Sequence, residues 1–367
     1  GGSLCTGGGS GTCTGGNGGR GGVGGGGGGG GSVVSFNYSR NAGQGGAGGF
    51  GGGDGTNGRV NRNSFQPSGD GGGGAAFGGA IFNYGGSLTV KNSTISGSTA
   101  AGGGSGGLDY YGNPGGPLAD GGGGDGFGAA VFSMNKGAST ATVDMRHVTV
   151  SESTVVGGGS NNTPGSSNGA IYILGNAGDS NAVLNNTIVA NTTGGDDVSV
   201  NTISGGSATA NGIGNLIESH TGFTGSVAVS ANPDLAGLID NRGPTPTHAL
   251  NESSPAIDAG DASQIGGLTT DQRGGIFNRI VDGDLNGSTL VDIGAYELIQ
   301  IDYGDAPDFA SGTGDVEVLL ENGNDDFRIS FVGADGDVNR DAYNPSVAYN
   351  GNDNEFLVVW VADNDVT

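Results

Sequence analysis

The chain has 367 residues, 87 of them glycine, and 36 acidic against 12 basic side chains give it a formal net charge of −24. This charge argues against a nucleic-acid partner, because phosphate binding needs basic side chains that displace counterions. The longest apolar run, residues 356–362, is far below the ~20 residues of a membrane helix, so no membrane insertion is expected. Apolar clusters recur between the glycine runs, which predicts folded structure after residue 75.

Residues 1–75 are the most glycine-rich part and form the N-terminal part of the repeat fold or a loop bundle. Disorder is one interpretation. The other is a structured bundle over residues 14–75, in which extended polyproline-II-like rods pack and each glycine lets two backbones touch, as in collagen. Cys5 and Cys13 predict a disulfide in an oxidising compartment, with two free thiols as the alternative.

Residues 76–225 repeat a pair of short sequence motifs, which are called the first phrase and the second phrase below. The first phrase is Gly-Ala-Ile-Phe or a close variant at residues 79–82, 129–132 and 169–172, and a run of alternating Thr, Val, Ile and Asn follows each copy. No helical period of 3.6 residues appears, and glycine-rich inserts at residues 102–125 and 157–168 separate the copies. Two short β phrases and a glycine turn, repeated, predict one turn of a parallel solenoid.

The fold predicted is therefore all-β: a right-handed, single-stranded, parallel β-helix of the pectate-lyase-like type with long glycine-rich loops, followed by a small β-rich C-terminal module. Successive turns would stack about 4.8 Å apart and bury one another's side chains. Asn92 and Asn186 fall at matching points and predict an inward ladder of stacked amides. The predicted inward residues are Ala80, Phe82, Val90 and Ile95 in one turn, and Ala130, Phe132, Val143 and Val148 in the next.

The pair of phrases resembles the Gly-Gly-Ala-Ile repeat of bacterial polymorphic outer-membrane proteins and related autotransporter-like adhesins, over roughly residues 33–215. A second resemblance covers residues 226–300. Its five ordered motifs are Asn232-Pro-x-Leu235, Asn241-x-Gly-Pro-Thr-Pro-Thr-His248, Ser254-Pro-Ala-Ile-Asp-Ala-Gly260, Thr270-Asp-Gln-Arg-Gly274 and Asp292-Ile-Gly-Ala-Tyr-Glu297. They are similar to the choice-of-anchor Q domain, which follows parallel β-helices in secreted bacterial proteins. The resemblance implies an extracellular or outer-surface bacterial protein, usually without known activity.

The charged residues of these motifs lie among Ile, Ala and Gly. They are Asp258, Asp271, Arg273, Asp292 and Glu297. Buried charges persist only when they are paired, so Arg273 is expected to meet one or more of the carboxylates. The network is predicted to be structural and to close the end of the β-helix. A catalytic carboxylate pair is the alternative.

Two acidic turns are candidate calcium sites, because oxygen-bearing side chains alternate along them. The candidate ligands are Asp282, Asp284, Asn286 and Asp292 in the first turn, and Asp335, Asp337, Asn339 and Asp341 in the second. A solvated acidic turn is the alternative for both. Residues 301–367 read as a linker and one partial β-repeat, with a strand, turn, strand pattern over residues 341–350 and 355–360.

These observations predict a non-enzymatic surface protein whose rigid stack serves adhesion, surface coating or filament assembly. Its partners would be further copies of the chain, through exchange of a terminal strand, or cell-surface glycans. A polysaccharide lyase or glycoside hydrolase is one alternative, with Asp144 and Arg146 as its best acid and base on one outward face. An ice- or mineral-binding β-solenoid is the other alternative.

Overall fold

The chain is described from a computed structural model, in which the described part contains no α-helix and one 3-10 turn, Ala262–Gln264. The described ranges are residues 3–4, 12–34, 39–61, 69–106, 120–281 and 289–299, and the backbone of four strands between residues 316 and 362. The strands are β1 Ser3–Leu4, β2 Thr12–Thr14, β3 Val33–Val34, β4 Ser39–Asn41, β5 Val60–Asn61, β6 Ala76–Phe77, β7 Ile81–Tyr84, β8 Ser87–Ser96, β9 Thr99–Ala101, β10 Gly126–Phe127, β11 Val131–Met134, β12 Ala141–Ser151, β13 Thr154–Val156, β14 Ser167–Asn168, β15 Ile171–Asn176, β16 Asp179–Asn185, β17 Ile188–Val189, β18 Val198–Ile203, β19 Ser207–Asn211, β20 Asn215–Ile217, β21 His220–Thr221, β22 Val227–Val229, β23 Leu235–Ile239, β24 Thr247–Leu250, β25 Val316–Leu320, β26 Phe327–Phe331, β27 Ala342–Asn350 and β28 Glu355–Ala362.

The first phrases of the repeat pair with one another as parallel strands. They form a sheet in the order β21-β18-β15-β11-β7. Val131 pairs with Ile81 on one side and with Ile171 on the other, and Ile171 pairs in turn with Val198. Ile81, Val131 and Ile171 therefore stand in one column, which confirms that the repeated motif at residues 79–82, 129–132 and 169–172 occupies equivalent places in successive layers.

The second phrases stack in the same way. Strand β12 pairs in parallel with β8 and β16, and β16 pairs with β19. Val143 faces Leu88 and Ala182 in this ladder. The parallel sheets curl into a half-barrel, so the strands from β6 to β22, called the strand stack below, are solenoid-like.

The core of the strand stack lies between the sheets of first and second phrases. Val131, Val143 and Val148 are buried in it, as are Ile171 and Leu184. Side chains of β7 and β8 at the first edge are only partly covered, because no described strand lies beyond them. The inward positions predicted for Ala130, Val143 and Val148 are therefore confirmed.

The prediction for Phe82 and Phe132 is wrong in direction. In a strand, neighbouring side chains point to opposite faces, and it is Val131 that faces the core. Phe132 stacks with Phe82 and with Tyr172 on the other face, with ring centroids 5.6 Å apart in both pairs. This aromatic ladder gives the sheet a second covered face, because Phe77 stacks on Phe132 with centroids 4.5 Å apart.

The glycine-rich segments form extended rods that bond to each other through their backbones. The amides of Gly18, Gly21, Gly24 and Gly27 donate to carbonyl oxygens of a rod 26 residues later in the chain, at distances of 2.7–2.9 Å. Donors therefore recur every third residue, which is the period of a polyproline-II helix. The bundle interpretation of residues 14–75 is confirmed where the structure describes them. The rods, called glycine rods below, are residues 15–24, 25–31, 43–50, 51–58, 69–75, 102–106, 121–126 and 157–159.

Glycine is required in the rods because neighbouring backbones touch at every third position of rod 15–24 and at two of every three positions of rod 25–31. A Cβ added at Gly18 would fall on the carbonyl oxygen of Gly28, and one added at Gly53 would fall on that of Gly122. Gly19 and Gly22 have nothing within 4 Å of an added Cβ, so they face outward. Rods 102–106, 121–126 and 157–159 belong to the inserts of the strand stack, which are therefore part of the bundle.

Residues 230–299, called the side module below, contain the antiparallel pair β23–β24 and, where the structure describes them, irregular turns. They contact three successive layers of the strand stack. Thr94 in β8 bonds to Gln272 at 2.7 Å, Thr149 in β12 accepts from the Ala295 amide at 2.9 Å, and the Asn186 carbonyl accepts from the Gly294 amide at 2.9 Å. The expectation that this segment closes the end of the stack is corrected, because it covers one side.

Residues 300–367 form a separate compact unit. Strand β25 pairs antiparallel with β26, and β27 with β28. The second pair confirms the two strands predicted for residues 341–350 and 355–360, and the turn predicted between them lies outside the described residues.

Candidate functional site: the polar seam beside the strand stack

Polar side chains of the strand stack meet polar side chains of the side module along the contact between them, and this contact region is called the polar seam below. Asn92, His147 and Asn186 occupy one column, and each has a left-handed backbone, with φ of 46°, 50° and 48°. Asn tolerates this conformation better than most residues. The column forms a corner of each turn and directs its side chains toward the side module. The predicted inward amide ladder is therefore wrong, since His147 separates the two asparagines.

The two asparagines bind the side module. The Oδ1 atom of Asn92 accepts from the Nη2 atom of Arg279 at 2.5 Å, and its Nδ2 atom donates to the Thr270 carbonyl at 2.7 Å. The Oδ1 atom of Asn186 accepts from the Asp261 amide at 2.7 Å. The corners of two layers thereby hold two separate turns of the side module.

His147 completes this column from the middle layer. Its side chain is fully buried, and its Nε2 atom lies 3.1 Å from Nδ2 of Asn186. Burial lowers the pKa of His147 to about 3, and the nearby Arg279 charge acts in the same direction. The imidazole is thus neutral near neutral pH, so Nε2 is free to accept from the amide.

The predicted contact of Arg273 with a carboxylate is present. Its Nη2 and Nε atoms lie 2.6 and 2.9 Å from Oδ2 of Asp271, and both side chains are buried. The guanidinium lies between the rings of Phe277 and Tyr296, 3.8 Å from each centroid. Stacking between two rings, together with two donors that converge on one carboxylate oxygen, uses the flat guanidinium in a way that lysine could not.

A second buried arginine, which the sequence reasoning missed, lies closer to the strand stack. Arg279 is fully buried, and its Nη1 atom is 3.1 Å from Oε2 of Glu297, which is also fully buried. It also donates to the carbonyls of Gly294 and Ala295. Its partners lie 18 residues away in Glu297 and 187 residues away in Asn92, so no local motif indicates the role. The only signal is a basic residue within an apolar stretch of a chain poor in bases.

The remaining carboxylates of the seam serve main-chain groups. Asp292 is fully buried, and its two oxygens accept from the amides of Asp258 and Leu298 at 2.8 and 2.6 Å. Glu297 accepts from the Asp292 amide at 3.1 Å. Burial raises the pKa of Asp292 to about 7 and, with the Asp292 charge, that of Glu297 to about 9. All four oxygens of Asp292 and Glu297 accept hydrogen bonds inside the protein, so the seam does not present these carboxylates to a substrate.

The structure describes only some of the residues that were predicted to bind calcium. Asp292 has both oxygens engaged by amides, which leaves it poorly placed to bind a cation. The other predicted ligands of that turn, Asp282, Asp284 and Asn286, lie outside the described residues, as do Asp335, Asp337, Asn339 and Asp341. Within the described ranges, no three His, Cys, Asp or Glu side chains come together as a metal site. Both calcium sites stay predictions.

Other predicted site residues are placed as follows. Cys5 lies outside the described residues, so its disulfide with Cys13 stays a prediction. Asp258 is partly buried beside Asp292 and has a left-handed backbone with φ of 52°. Asp144 and Arg146 point outward from β12 and form an ion pair of 3.3 Å. This pair is a partly exposed surface contact rather than a converging acid and base.

Comparison with models of known families, with curated proteins and with solved structures gave no match. In the described part of the chain, no helix has the length and apolar character needed to span a membrane.

Proposed function

We propose that the chain is a non-enzymatic, extracellular structural protein of a bacterial surface, whose strand stack is a right-handed parallel β-helix. The observation that carries this proposal is the continuous parallel register from Ile81 through Val131 and Ile171 to Val198, bordered by glycine rods. A repeat held together only by its neighbours grows in one direction and stays stiff. Such a body suits adhesion, surface coating or filament assembly.

The polar seam supports a structural role for the charges that an enzyme would otherwise use. Asp271 pairs with Arg273, and Glu297 pairs with Arg279, inside the protein. Each carboxylate also accepts a main-chain amide: Asp271 accepts from Glu297, and Glu297 accepts from Asp292. Groups committed in this way position a backbone and do not face solvent.

The first edge of the strand stack supports assembly as the specific role. Phe82 and Tyr84 in β7 are 49% and 46% exposed, whereas Phe132 and Met134 one layer further are buried. An exposed edge strand offers unpaired amides and carbonyls to another strand. We propose a second copy of the chain as the partner at this edge, with a cell-surface glycan as the other class of partner.

Sedimentation velocity and negative-stain imaging of the purified chain over a range of concentrations test this proposal. Thr89→Lys places a charge at the exposed first edge, in β8. Val183→Lys is the matched control, because Val183 is 36% exposed and occupies the same column two layers further along, in an interior strand. We expect concentration-dependent elongated assemblies of the unmodified chain and of Val183→Lys, and monomers of Thr89→Lys.

A chain that remains monomeric at every concentration contradicts assembly through this edge. Binding to immobilised glycans by that monomer would then move the proposal to adhesion. Release of unsaturated products from polygalacturonate would overturn the non-enzymatic proposal itself.

A further inference from the structure

Two acidic residues lie at matched positions on neighbouring glycine rods. Strand β6 pairs in parallel with β10, so residue 76 faces residue 126. The offset of 50 persists into the rods, because a Cβ added at Gly121 would meet the backbone of Gly71. Asp70 and Asp120, one residue earlier on each rod, therefore lie side by side.

Asp70 is held in place and lacks a partner for one oxygen. Its amide donates to Oγ1 of Thr56 at 2.8 Å, and its carbonyl accepts from the Thr56 amide at 2.9 Å. The side chain is only 5% exposed, and among the described residues its buried Oδ2 atom has no hydrogen-bond partner. A buried oxygen without a partner is unfavourable, because it has lost its hydrogen bonds to water, so its persistence calls for a compensating group.

Asp120 adds a second negative charge close to Asp70. It is partly exposed, and its Oδ2 atom accepts from the side chain of Asn161 at 2.6 Å and from the Asn161 amide at 3.3 Å. Burial and the Asp120 charge both raise the pKa of Asp70. The ion pairs formed within the described ranges involve neither carboxylate. Two adjacent carboxylates without a cationic partner in the described part of the chain attract either a shared proton or a metal ion.

We propose that Asp70 and Asp120 bind one calcium ion between the two glycine rods. Calcium takes six to eight oxygen ligands in flexible geometry, and carboxylates, main-chain carbonyls and water all serve. The orphaned Oδ2 of Asp70 supplies one ligand and Asp120 supplies another. Asn161 lies beside Asp120. A flip of its side-chain amide would present the Oδ1 oxygen to the ion in place of the Nδ2 donor. The ion would tie rod 69–75 to rod 121–126 and stabilise the bundle.

The test measures calcium binding by isothermal titration and the thermal midpoint of the full chain, after removal of bound metal with a chelator. Asp70→Asn and Asp120→Asn keep the shape and remove a charge. Asp179→Asn, at an exposed position of β16, is the control. We expect calcium to raise the thermal midpoint, and each rod variant to lose one binding site and most of this rise, while Asp179→Asn keeps both.

Manganese broadening of amide signals tests the same site without any variant, in case Asp70→Asn fails to fold. Added Mn²⁺ should broaden the amides of Gly71 and Gly121 before those of Gly19 and Gly22. The proposal is overturned if these signals are unaffected, or if Asp70→Asn titrates with as many sites as the unmodified chain. A thermal midpoint that depends on pH but not on calcium would assign the pair to a shared proton instead.

Discussion

The glycine rods and the strand stack satisfy the hydrogen-bonding needs of their main-chain amides and carbonyls in different ways. In the strand stack, ladder hydrogen bonds run between strands whose side chains, such as Val131 and Ile171, fill a core. In the rods, glycine amides bond at every third residue and the backbones themselves are in contact. The strand stack therefore tolerates exchange of one apolar side chain for another, whereas an inward rod position tolerates only glycine.

This difference teaches where stability resides. Ordering a glycine costs more conformational entropy than ordering any other residue, and a rod buries almost no side chain in return. The bundle must therefore gain from many close backbone contacts and from anchoring at its ends. The aromatic ladder supplies such an anchor, because Phe50 of rod 43–50 stacks on Phe77 with centroids 5.8 Å apart.

The largest effect is expected in the strand stack and its side module, which are held together by side-chain contacts. Arg279→Met should destabilise the chain by about 3–5 kcal/mol, because it leaves the buried carboxylate of Glu297 without its cation. Arg146→Met is the matched control and should cost about 0–1 kcal/mol, since Arg146 forms only a partly exposed pair. Urea unfolding followed by circular dichroism measures both. Equal losses would show that the seam adds nothing to the stack.

Gly18→Ala probes the glycine rods, which are held together by backbone contacts. It should destabilise the rods by about 3 kcal/mol, because the new methyl group meets a rigid carbonyl rather than a side chain that can move. Gly19→Ala, one residue along, should be neutral or stabilising by about 0.4–1 kcal/mol, since its Cβ enters open space. Hydrogen exchange of the rod amides reports both variants. Similar behaviour of the two would break the distinction between inward and outward positions.

The seam should also respond to pH in two opposing ways. His147 has its pKa lowered to about 3, so the unfolded chain binds the extra proton between that pH and about 6.5, and stability falls as pH falls through this window. Asp292 and Glu297 have raised pKa values, near 7 and 9, so the folded chain holds more protons and stability falls as pH rises from about 4 toward those values.

His147→Asn separates the two trends, because asparagine already occupies this corner in the adjacent layers and its oxygen can accept from Asn186. Relative to the variant, the unmodified chain should lose about 2 kcal/mol between pH 6.5 and pH 5. Denaturant midpoints across this range give the difference. Parallel curves for the two proteins would show that His147 does not titrate on unfolding.

The smallest effect compares two positions of one column. Ile171→Val removes a methylene group from the core and should cost about 1 kcal/mol. Ile81→Val, at the half-covered first edge, should cost clearly less. Thermal midpoints of both variants, measured at a concentration where the chain is monomeric, test the order. A reversed order would show that the first edge is covered in solution.

The sequence predicted the pairing of the phrases better than their orientation. Repetition of Gly-Ala-Ile-Phe identifies equivalent strands, and alternation shows that Val131 and Phe132 face opposite ways. It does not show which of the two faces the core, because both faces of this sheet are covered, one by the second phrases and the other by aromatic rings next to the rods. Only the coordinates reveal that second cover.

The seam shows the same limit. The motif around Arg273 carries its own partner two residues away, in Asp271, so pairing could be expected from spacing. The partners of Arg279 and His147 come from distant parts of the chain that fold together. Corner residues such as Asn92 and Asn186 could be matched by position, yet the direction of their side chains depends on the left-handed backbone at that corner.

Residue-resolved hydrogen exchange of the segment from Gly15 to Gly30 tests the central claim most directly, which is that hydrogen-bonded backbone contacts order the glycine rods. Protection is predicted at the donor amides, which are Gly15, Gly18, Gly21, Gly24, Gly25, Gly27, Gly28 and Gly30, with fast exchange at the exposed Gly16, Gly19 and Gly22. Uniformly fast exchange along the whole segment, with no three-residue pattern, would contradict it.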